Sequence, residues 1–142
     1  PDDLYATIIH PQIEIKTSEA RSILPKSIPL QDAITQWSNV GSFVHALHTN
    51  DYNLLKEALQ DVVVEPYRSQ LIPHFNSVKT EAIKAGALGA GISGSGPSIF
   101  ALSKSKKTAE AVAEAMKNIY SKTEISFNTY VSKINTKGIR KI

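Results

Sequence analysis

Apolar positions along the chain recur with two periods. Residues 4–10 are rich in β-forming side chains and residues 13–16 alternate apolar and polar, so both segments are expected to be extended. From residue 30 to residue 47 the apolar positions recur every three or four residues, which predicts an amphipathic helix. That face contains Leu30, Ala33, Ile34, Trp37, Val40, Val44 and Leu47. The same period predicts helices around residues 54–59, 74–86 and 108–120.

The connections carry recognisable helix-end signals. Thr17 is expected to cap a short helix over residues 17–24, which Pro25 closes. Gly86 stands where a left-handed residue would end the helix of residues 74–86. Residues 61–73 contain two prolines, so they are expected to form a connecting segment with a helical turn or two.

Two short apolar runs, at residues 87–93 and 98–102, flank "GSGP" and predict two antiparallel strands joined by a turn. A final strand is predicted where Ile125, Phe127, Thr129 and Val131 alternate with polar residues. The order corresponds to the β-α-β-β-α-β pattern of an α+β, ferredoxin-like sandwich. We expect an antiparallel sheet of about four strands, helices packed on one face, and extra helices in the first crossover.

Composition narrows the function classes. Over 142 residues, 42% are hydrophobic and 20% are charged, as in an ordinary single globular domain. Cysteine is absent, which excludes disulfides and thiolate metal sites and fits a cytoplasmic location. The net charge of +3 is too mild for a nucleic-acid footprint, and no apolar run approaches the roughly 20 residues of a membrane span. Nucleic-acid and membrane partners are therefore not expected.

Five of the seven glycines lie between Gly86 and Gly96. Gly89, Gly91 and Gly94 match G-x-G-x-x-G, but a predicted strand follows where a dinucleotide fingerprint needs a helix. The glycine stretch is not a Walker loop, because no lysine follows its glycines. It is not a nucleophile elbow either, because "GISGS" lacks the final glycine of that motif. From the pattern alone, a tight hairpin turn and an anion-binding loop of backbone N–H groups both remain open.

Two histidines, His45 and His48, lie three residues apart on the long predicted helix. That spacing could place both on one metal ion, but no third ligand is evident in the sequence. We interpret them as helix-surface histidines and expect no metal site in this chain.

The stretch "GALGAGISGSGPSIFAL" resembles the third sequence motif of the GHMP small-molecule kinases. Upstream segments occur in the family's order: "HP", "IKTSEAR" ending at Arg21, "LP", "EPYR" ending at Arg68, and "LIP". Within the family these segments are most similar to those of the homoserine kinases. The resemblance extends over most of the chain, from about residue 5 to residue 134.

The resemblance implies transfer of the ATP γ-phosphoryl group to the hydroxyl of L-homoserine, a step in threonine biosynthesis. It implies that residues 1–142 are only the C-terminal domain, because nothing in them corresponds to the family's phosphate loop. ATP and Mg would then bind mainly to an N-terminal domain, the partner of this one, and residues 1–142 alone would be inactive. No catalytic residue is assigned here, and a homodimer remains open.

The resemblance also assigns site residues. Arg21 and Arg68 match the arginines that hold the amino-acid substrate, and Thr17 matches a threonine of the same helical turn. Ser93 and Gly94 are expected to contact substrate, while Ser95 and Gly96 complete an active-site loop. These four residues form the segment "SGSG" at residues 93–96.

Two alternatives remain open. One is a kinase of the same family with another small-molecule substrate. The other is a free-standing ferredoxin-like module that binds an amino acid without catalysis. An RNA-binding sheet would carry more exposed aromatic residues on its central strands than the single Phe100 of "SIFAL".

Overall fold

The computed structural model describes residues 1–138, so the last four residues of the predicted domain 1–142 lie outside the described part. Four strands and six α-helices follow one another, with a 3-10 turn over Ser69–Leu71 after the fourth helix. The elements are β1 Tyr5–Pro11, α1 Thr17–Ser22, α2 Leu30–Thr49, α3 Tyr52–Ala58, α4 Glu65–Arg68, α5 Phe75–Lys84, β2 Gly89–Ile92, β3 Ile99–Ser103, α6 Lys106–Tyr120 and β4 Phe127–Lys133.

The strands form one antiparallel sheet in the order β2-β3-β1-β4. Ile92 pairs with Ile99 across the β2–β3 hairpin, and Ile9 lies between Ile99 of β3 and Thr129 of β4. This arrangement confirms the predicted ferredoxin-like sandwich, including the extra helices between the first two strands. The predicted hairpin is confirmed as well, and no helix begins at Gly94 or Pro97.

Helices α5 and α6 cover one face of the sheet. The alternation of β1 sends Thr7 and Ile9 toward this face, where both are fully buried. The Thr7 hydroxyl donates to the carbonyl oxygen of Ala109 in α6 at 3.0 Å, which satisfies a polar group inside the core. Tyr120 at the end of α6 is fully buried, and its hydroxyl donates to the carbonyl oxygen of Pro73 at 2.7 Å.

Helices α2 and α3 form a second layer around a smaller apolar cluster that contains Leu4, Ala46, Leu55 and Leu102. Here one detail of the sequence interpretation is wrong. If every helix packed on the sheet as expected, the apolar face of the long helix would be buried, but most of this face is exposed to solvent. Five large residues form this exposed surface, which we call the α2 stripe: Leu30, Ile34, Trp37, Val40 and Val44.

The opposite side of α2 explains this orientation. Asn39 Nδ2 donates to the carbonyl oxygen of Gln60 at 2.9 Å, and Gln36 Oε1 accepts from the N–H of Val62 at 3.0 Å. These two amides fasten the packed side of α2 to the segment after α3. The predicted helix is therefore confirmed. Its apolar stripe and its packed side are different faces of α2.

Among residues 1–138, the helices all fall short of the length and hydropathy that crossing a membrane requires. The predicted end of the fifth helix is confirmed: Gly86 has φ of 103°, and the N–H of Ala87 donates to the carbonyl oxygen of Ala82 at 3.0 Å. This is the hydrogen-bond pattern of a glycine-terminated helix. Residues 13–16 lead from β1 to α1 without joining the sheet.

Candidate functional site

The glycine-rich loop connects β2 and β3 at one end of the sheet. It is closed by two backbone hydrogen bonds, from the N–H of Ser93 to the carbonyl oxygen of Ser98 at 2.8 Å and from the N–H of Gly96 to that of Ser93 at 3.1 Å. Gly94 and Gly96 have φ of 64° and 84°, a region that glycine adopts readily. The Gly96–Pro97 peptide bond is cis. The loop is therefore a defined turn.

The two glycines differ in their surroundings. A Cβ at Gly96 would lie 3.0 Å from Cδ1 of Ile72, so this half of the loop packs on the chain that follows α4. A Cβ at Gly94 would have no neighbour within 4 Å. The backbone at Gly94 is thus the open side of the loop, where another molecule has access. Ser93 is exposed beside it, and Ser95 is half-buried.

Arg68 joins the loop to α1. Its Nε donates to the carbonyl oxygen of Ala20 at 2.9 Å, and its Nη1 donates to that of Gly94 at 3.1 Å. Arg68 ends the short helix α4, whose start is held by Asp61: Oδ1 accepts from the N–H groups of Val63 and Val64 at 2.9 and 2.7 Å. A guanidinium has five N–H donors, so several remain available after these two bonds.

Helix α1 carries Arg21 directly after the residue that Arg68 contacts. Ala20, whose carbonyl Arg68 contacts, is fully buried, and Arg21 is the next residue and is exposed. Thr17 and Arg21 are four residues apart and share one side of α1. Glu19 is two residues from Arg21, and residues at that spacing do not face each other on a helix.

Thr17 does not cap this helix, which corrects the sequence expectation. Thr17 is the first helical residue, and the capping position falls on Lys16, which makes no side-chain capping bond. The Thr17 side chain is exposed. Thr17 cannot cap the helix because the helix begins one residue earlier than the sequence indicated, so that Thr17 already belongs to its first turn.

The arrangement is suited to an anion. Arg68 contacts the carbonyl of the residue before Arg21, and a planar guanidinium can hold a carboxylate with two parallel hydrogen bonds. Within residues 1–138, the N–H groups of Gly94 and Ser95 donate to no other backbone or side-chain group. Positive charge and free backbone donors therefore occur together at the open side of the loop.

Within the part of the chain that the structure describes, no three His, Cys, Asp or Glu side chains are grouped as a metal site. His45 and His48 are exposed on α2, which confirms their interpretation as surface histidines. A cavity of about 230 Å³ lies nearby between α2 and the sheet, but Glu65, Gly91 and Phe100 line it rather than the arginines.

Sequence reasoning missed two supports of the loop. His10 Nδ1 and Ser98 Oγ are 2.8 Å apart, so the end of β1 is tied to the start of β3 beneath the loop. The sequence contains His10 in the "HP" segment, but it does not indicate a partner 88 residues away. The carbonyl of Ala20 was missed as well, because a backbone acceptor leaves no mark in the sequence.

A family model described as "GHMP kinases C terminal" matches residues 43–122. The chain is 51% identical over 142 residues to the homoserine kinase of Chlorobaculum tepidum, covering 99% of this chain and 44% of that protein. It is 49% identical to the homoserine kinase of Chlorobium phaeobacteroides strain DSM 266, with the same coverage. The chain thus spans less than half the length of these curated relatives.

The chain is also similar to solved structures of kinases. The crystal structure of homoserine kinase from Cytophaga hutchinsonii superposes with a TM-score of 0.93 at 52% identity, covering 95% of this chain and 43% of that one. Streptococcus pneumoniae phosphomevalonate kinase, solved with phosphomevalonate and AMPPNP, superposes with a TM-score of 0.70 at 16% identity, covering 92% and 40%. This second likeness concerns the fold alone.

Proposed function

The chain belongs to the GHMP kinase C-terminal family, and we propose that it is the substrate-binding part of a homoserine kinase. In the proposed enzyme the γ-phosphoryl group of ATP is transferred to the hydroxyl of L-homoserine, a step toward threonine in the cytoplasm. The proposal assigns the reaction to a longer polypeptide, because the homoserine kinases that resemble this chain are more than twice its length.

The observation that carries the proposal is the position of Arg68 between α1 and the glycine loop. In this position Arg68 holds the loop at Gly94 and bonds the carbonyl of the residue that precedes Arg21. We assign to Arg21 the direct contact with the substrate carboxylate, because no residue within 1–138 forms a salt bridge with it. Arg68 adds charge and fixes the loop. Thr17, on the same side of α1 as Arg21, is assigned to the polar part of the substrate.

The loop from Ser93 to Gly96 is assigned to shaping the pocket. Ser93 and Gly94 form its open side and are assigned the contact with the substrate, while Gly96 holds the turn against Ile72 and Ser95 completes the loop. Phosphoryl transfer depends mainly on positioning and on stabilising charge, so a loop of this kind contributes without donating or accepting the transferred group.

ATP and Mg are assigned to the N-terminal domain of the longer polypeptide. The described residues do not fit a metal site, since their carboxylates and histidines are not grouped in threes. The nucleotide would supply the phosphoryl group, and the metal would neutralise its charge. The residues of this chain would hold and orient the acceptor. No catalytic residue is assigned to this chain.

A kinase of the same family with another substrate is the alternative. Leishmania major mevalonate kinase, solved with R-mevalonate, shares the fold at 18% identity and a TM-score of 0.66. Mevalonate also carries a carboxylate and a hydroxyl, so charge alone does not separate the two substrates. The identity of about half of all residues with homoserine kinases favours homoserine.

The proposal is tested by assaying the longer polypeptide with ATP, Mg²⁺ and either L-homoserine or R-mevalonate in a coupled ADP assay. We expect turnover of homoserine and none of mevalonate. Residues 1–142 assayed alone should be folded by circular dichroism yet inactive, because half of a cleft leaves a small ligand exposed to water. Turnover by that preparation, verified free of longer enzyme, or a preference for mevalonate, would refute the assignment.

A further inference from the structure

The glycine-rich loop is held at its base by a side chain from another strand. His10 Nδ1 lies 2.8 Å from Oγ of Ser98, the residue that follows the loop. Both residues are half-buried. The Ser98 hydroxyl can donate to Nδ1 or accept from it, so the contact does not require a particular protonation state of the imidazole.

The register of the sheet explains why these two side chains meet. Ile9 of β1 is paired with Ile99 of β3, and both belong to the core on the face that α5 and α6 cover. His10 and Ser98 are their immediate neighbours in the chain. Because side chains alternate along a strand, both are turned toward the opposite face of the sheet.

The backbone that carries the His10 side chain is fixed. His10 is paired with Asn128 of β4, and its two neighbours, Ile9 and Pro11, are fully buried. β1 lies between β3 and β4, so it is a central strand of the sheet. A side chain that starts from such a strand is held more precisely than one that starts from a loop. His10 therefore gives the loop a rigid point of attachment.

The backbone of the loop connects this attachment to its open side. The carbonyl oxygen of Ser98 accepts from the N–H of Ser93 at 2.8 Å, and the carbonyl oxygen of Ser93 accepts from the N–H of Gly96 at 3.1 Å. Ser98 is thus bonded to β1 through its side chain and to Ser93 through its main chain. Ser93 is exposed and belongs to the part of the loop that is assigned to the substrate.

Arg68 holds the same loop from another direction, through its bond to the carbonyl oxygen of Gly94 at 3.1 Å. Arg68 also supplies positive charge, so its removal would change the charge of the site and the position of the loop together. His10 contacts the loop through Ser98 instead. Substitution of His10 therefore tests the position of the loop separately from the charge of Arg68.

We infer that His10 is a positioning residue for the proposed reaction, and that through Ser98 it fixes residues 93–94 for contact with the substrate. The inference rests on the proposed function, in which these two loop residues contact homoserine. Phosphoryl transfer depends mainly on positioning, so a small displacement of the loop is expected to weaken the use of the acceptor. His10 acts through Ser98 and is assigned no contact with the substrate itself.

The test uses the longer polypeptide and substitutions matched in shape. Leucine and asparagine branch at Cγ as histidine does, but only asparagine has a polar atom at the place of Nδ1. His10→Leu should raise the KM for homoserine by about three- to tenfold, the effect of one lost hydrogen bond, with the KM for ATP unchanged. His10→Asn should restore a KM within about twofold of the wild type. The control His45→Leu makes the same change at an exposed position of α2 and should have no effect.

The KM distinguishes positioning from a merely structural role. If His10 only stabilised the fold, His10→Leu would lower the folded fraction and therefore kcat per protein, and the KM for homoserine would not change. An unchanged KM in the leucine variant, or equal KM values in the leucine and asparagine variants, would overturn the inference.

Ser98→Ala tests the other partner of the contact and keeps the inference testable if His10→Leu does not fold. It should raise the KM for homoserine as much as His10→Leu does. The double variant should be no worse than either single variant, because all three lack the same bond. Effects that multiply in the double variant would show that the two residues act independently and would reject the role of His10.

Amide hydrogen exchange of the longer polypeptide without substrate tests the same contact independently of the reaction. Exchange over residues 93–98 should be faster in His10→Leu than in the wild type and in His10→Asn. If the wild type does not phosphorylate homoserine, the proposed function fails, while the exchange rates still decide whether His10 holds the loop. If the wild type phosphorylates homoserine and all variants share its KM and its exchange rates, the role of His10 alone is rejected.

Discussion

The guanidinium of Arg68 donates to the carbonyl oxygen of Ala20, 48 residues earlier in the chain, at a distance of 2.9 Å. With the second bond to Gly94, this contact assembles the candidate site from three separate segments. The arrangement gives Arg68 a structural role in addition to its charge. Arg21, whose side chain is exposed, has no such role in the described fold.

This difference predicts unequal effects on stability. Arg68→Ala should lower the free energy of unfolding by about 1–3 kcal/mol, because two charge-assisted bonds to carbonyl groups are lost at a half-exposed position. Arg21→Ala should change it by less than about 0.5 kcal/mol. Urea denaturation of both variants provides the comparison. Equal losses would mean that the bridge from Arg68 does not hold the loop in solution.

Substitutions of the two loop glycines should also differ in how far they destabilise the fold. Gly94→Ala imposes only the conformational cost of a positive φ, about 1 kcal/mol. Gly96→Ala adds a contact at 3.0 Å with Ile72, a buried side chain, and should be the more destabilising variant. Thermal unfolding of the pair checks the order. The reverse order would contradict the packing of the loop on Ile72.

The first residues of α3 and α1 differ in side-chain capping, which gives a third comparison. Asp51 caps α3, with Oδ1 accepting from the N–H groups of Asn53 and Leu54 at 3.0 Å each. Asp51→Ala should therefore cost about 1 kcal/mol of unfolding free energy. Thr17→Ala should cost almost nothing, since α1 lacks a side-chain cap. If both substitutions were equally destabilising in urea denaturation, Thr17 would be a cap after all.

Tyr120 should contribute to stability in a pH-dependent way. Burial raises the pKa of its hydroxyl from 10.0 to about 12. A raised pKa means that the fold favours the neutral phenol, so this contribution is complete below pH 10 and is lost as the pH rises toward 12. Tyr120→Phe should cost about 1 kcal/mol at pH 7, through the lost bond to Pro73, and should lose less stability between pH 10 and 12. Identical alkaline losses in both proteins would contradict the assignment.

The sequence predicted more of the fold than of the contacts within it. The period of α2 identified a helix, but periodicity does not say which side packs. Here Gln36 and Asn39 face the protein together with Ala46, while five large apolar residues face solvent. The hairpin at Gly94 was predictable because glycine and proline act locally. The bridge from Arg68 to Ala20 was not, since it depends on a tertiary approach to a backbone carbonyl.

The central claim is that this chain holds the carboxylate of homoserine, and steady-state kinetics of the longer polypeptide test it most directly. The variants are Arg21→Ala and, as a control, Lys107→Ala, which removes an exposed charge near the start of α6, at the other end of β3 from the loop. Loss of a charge-assisted pair costs about 1.5–3 kcal/mol. We therefore expect Arg21→Ala to raise the KM for homoserine by roughly ten- to a hundredfold, with the KM for ATP unchanged and the control like the wild type. An unchanged KM for homoserine together with impaired ATP binding would contradict the account.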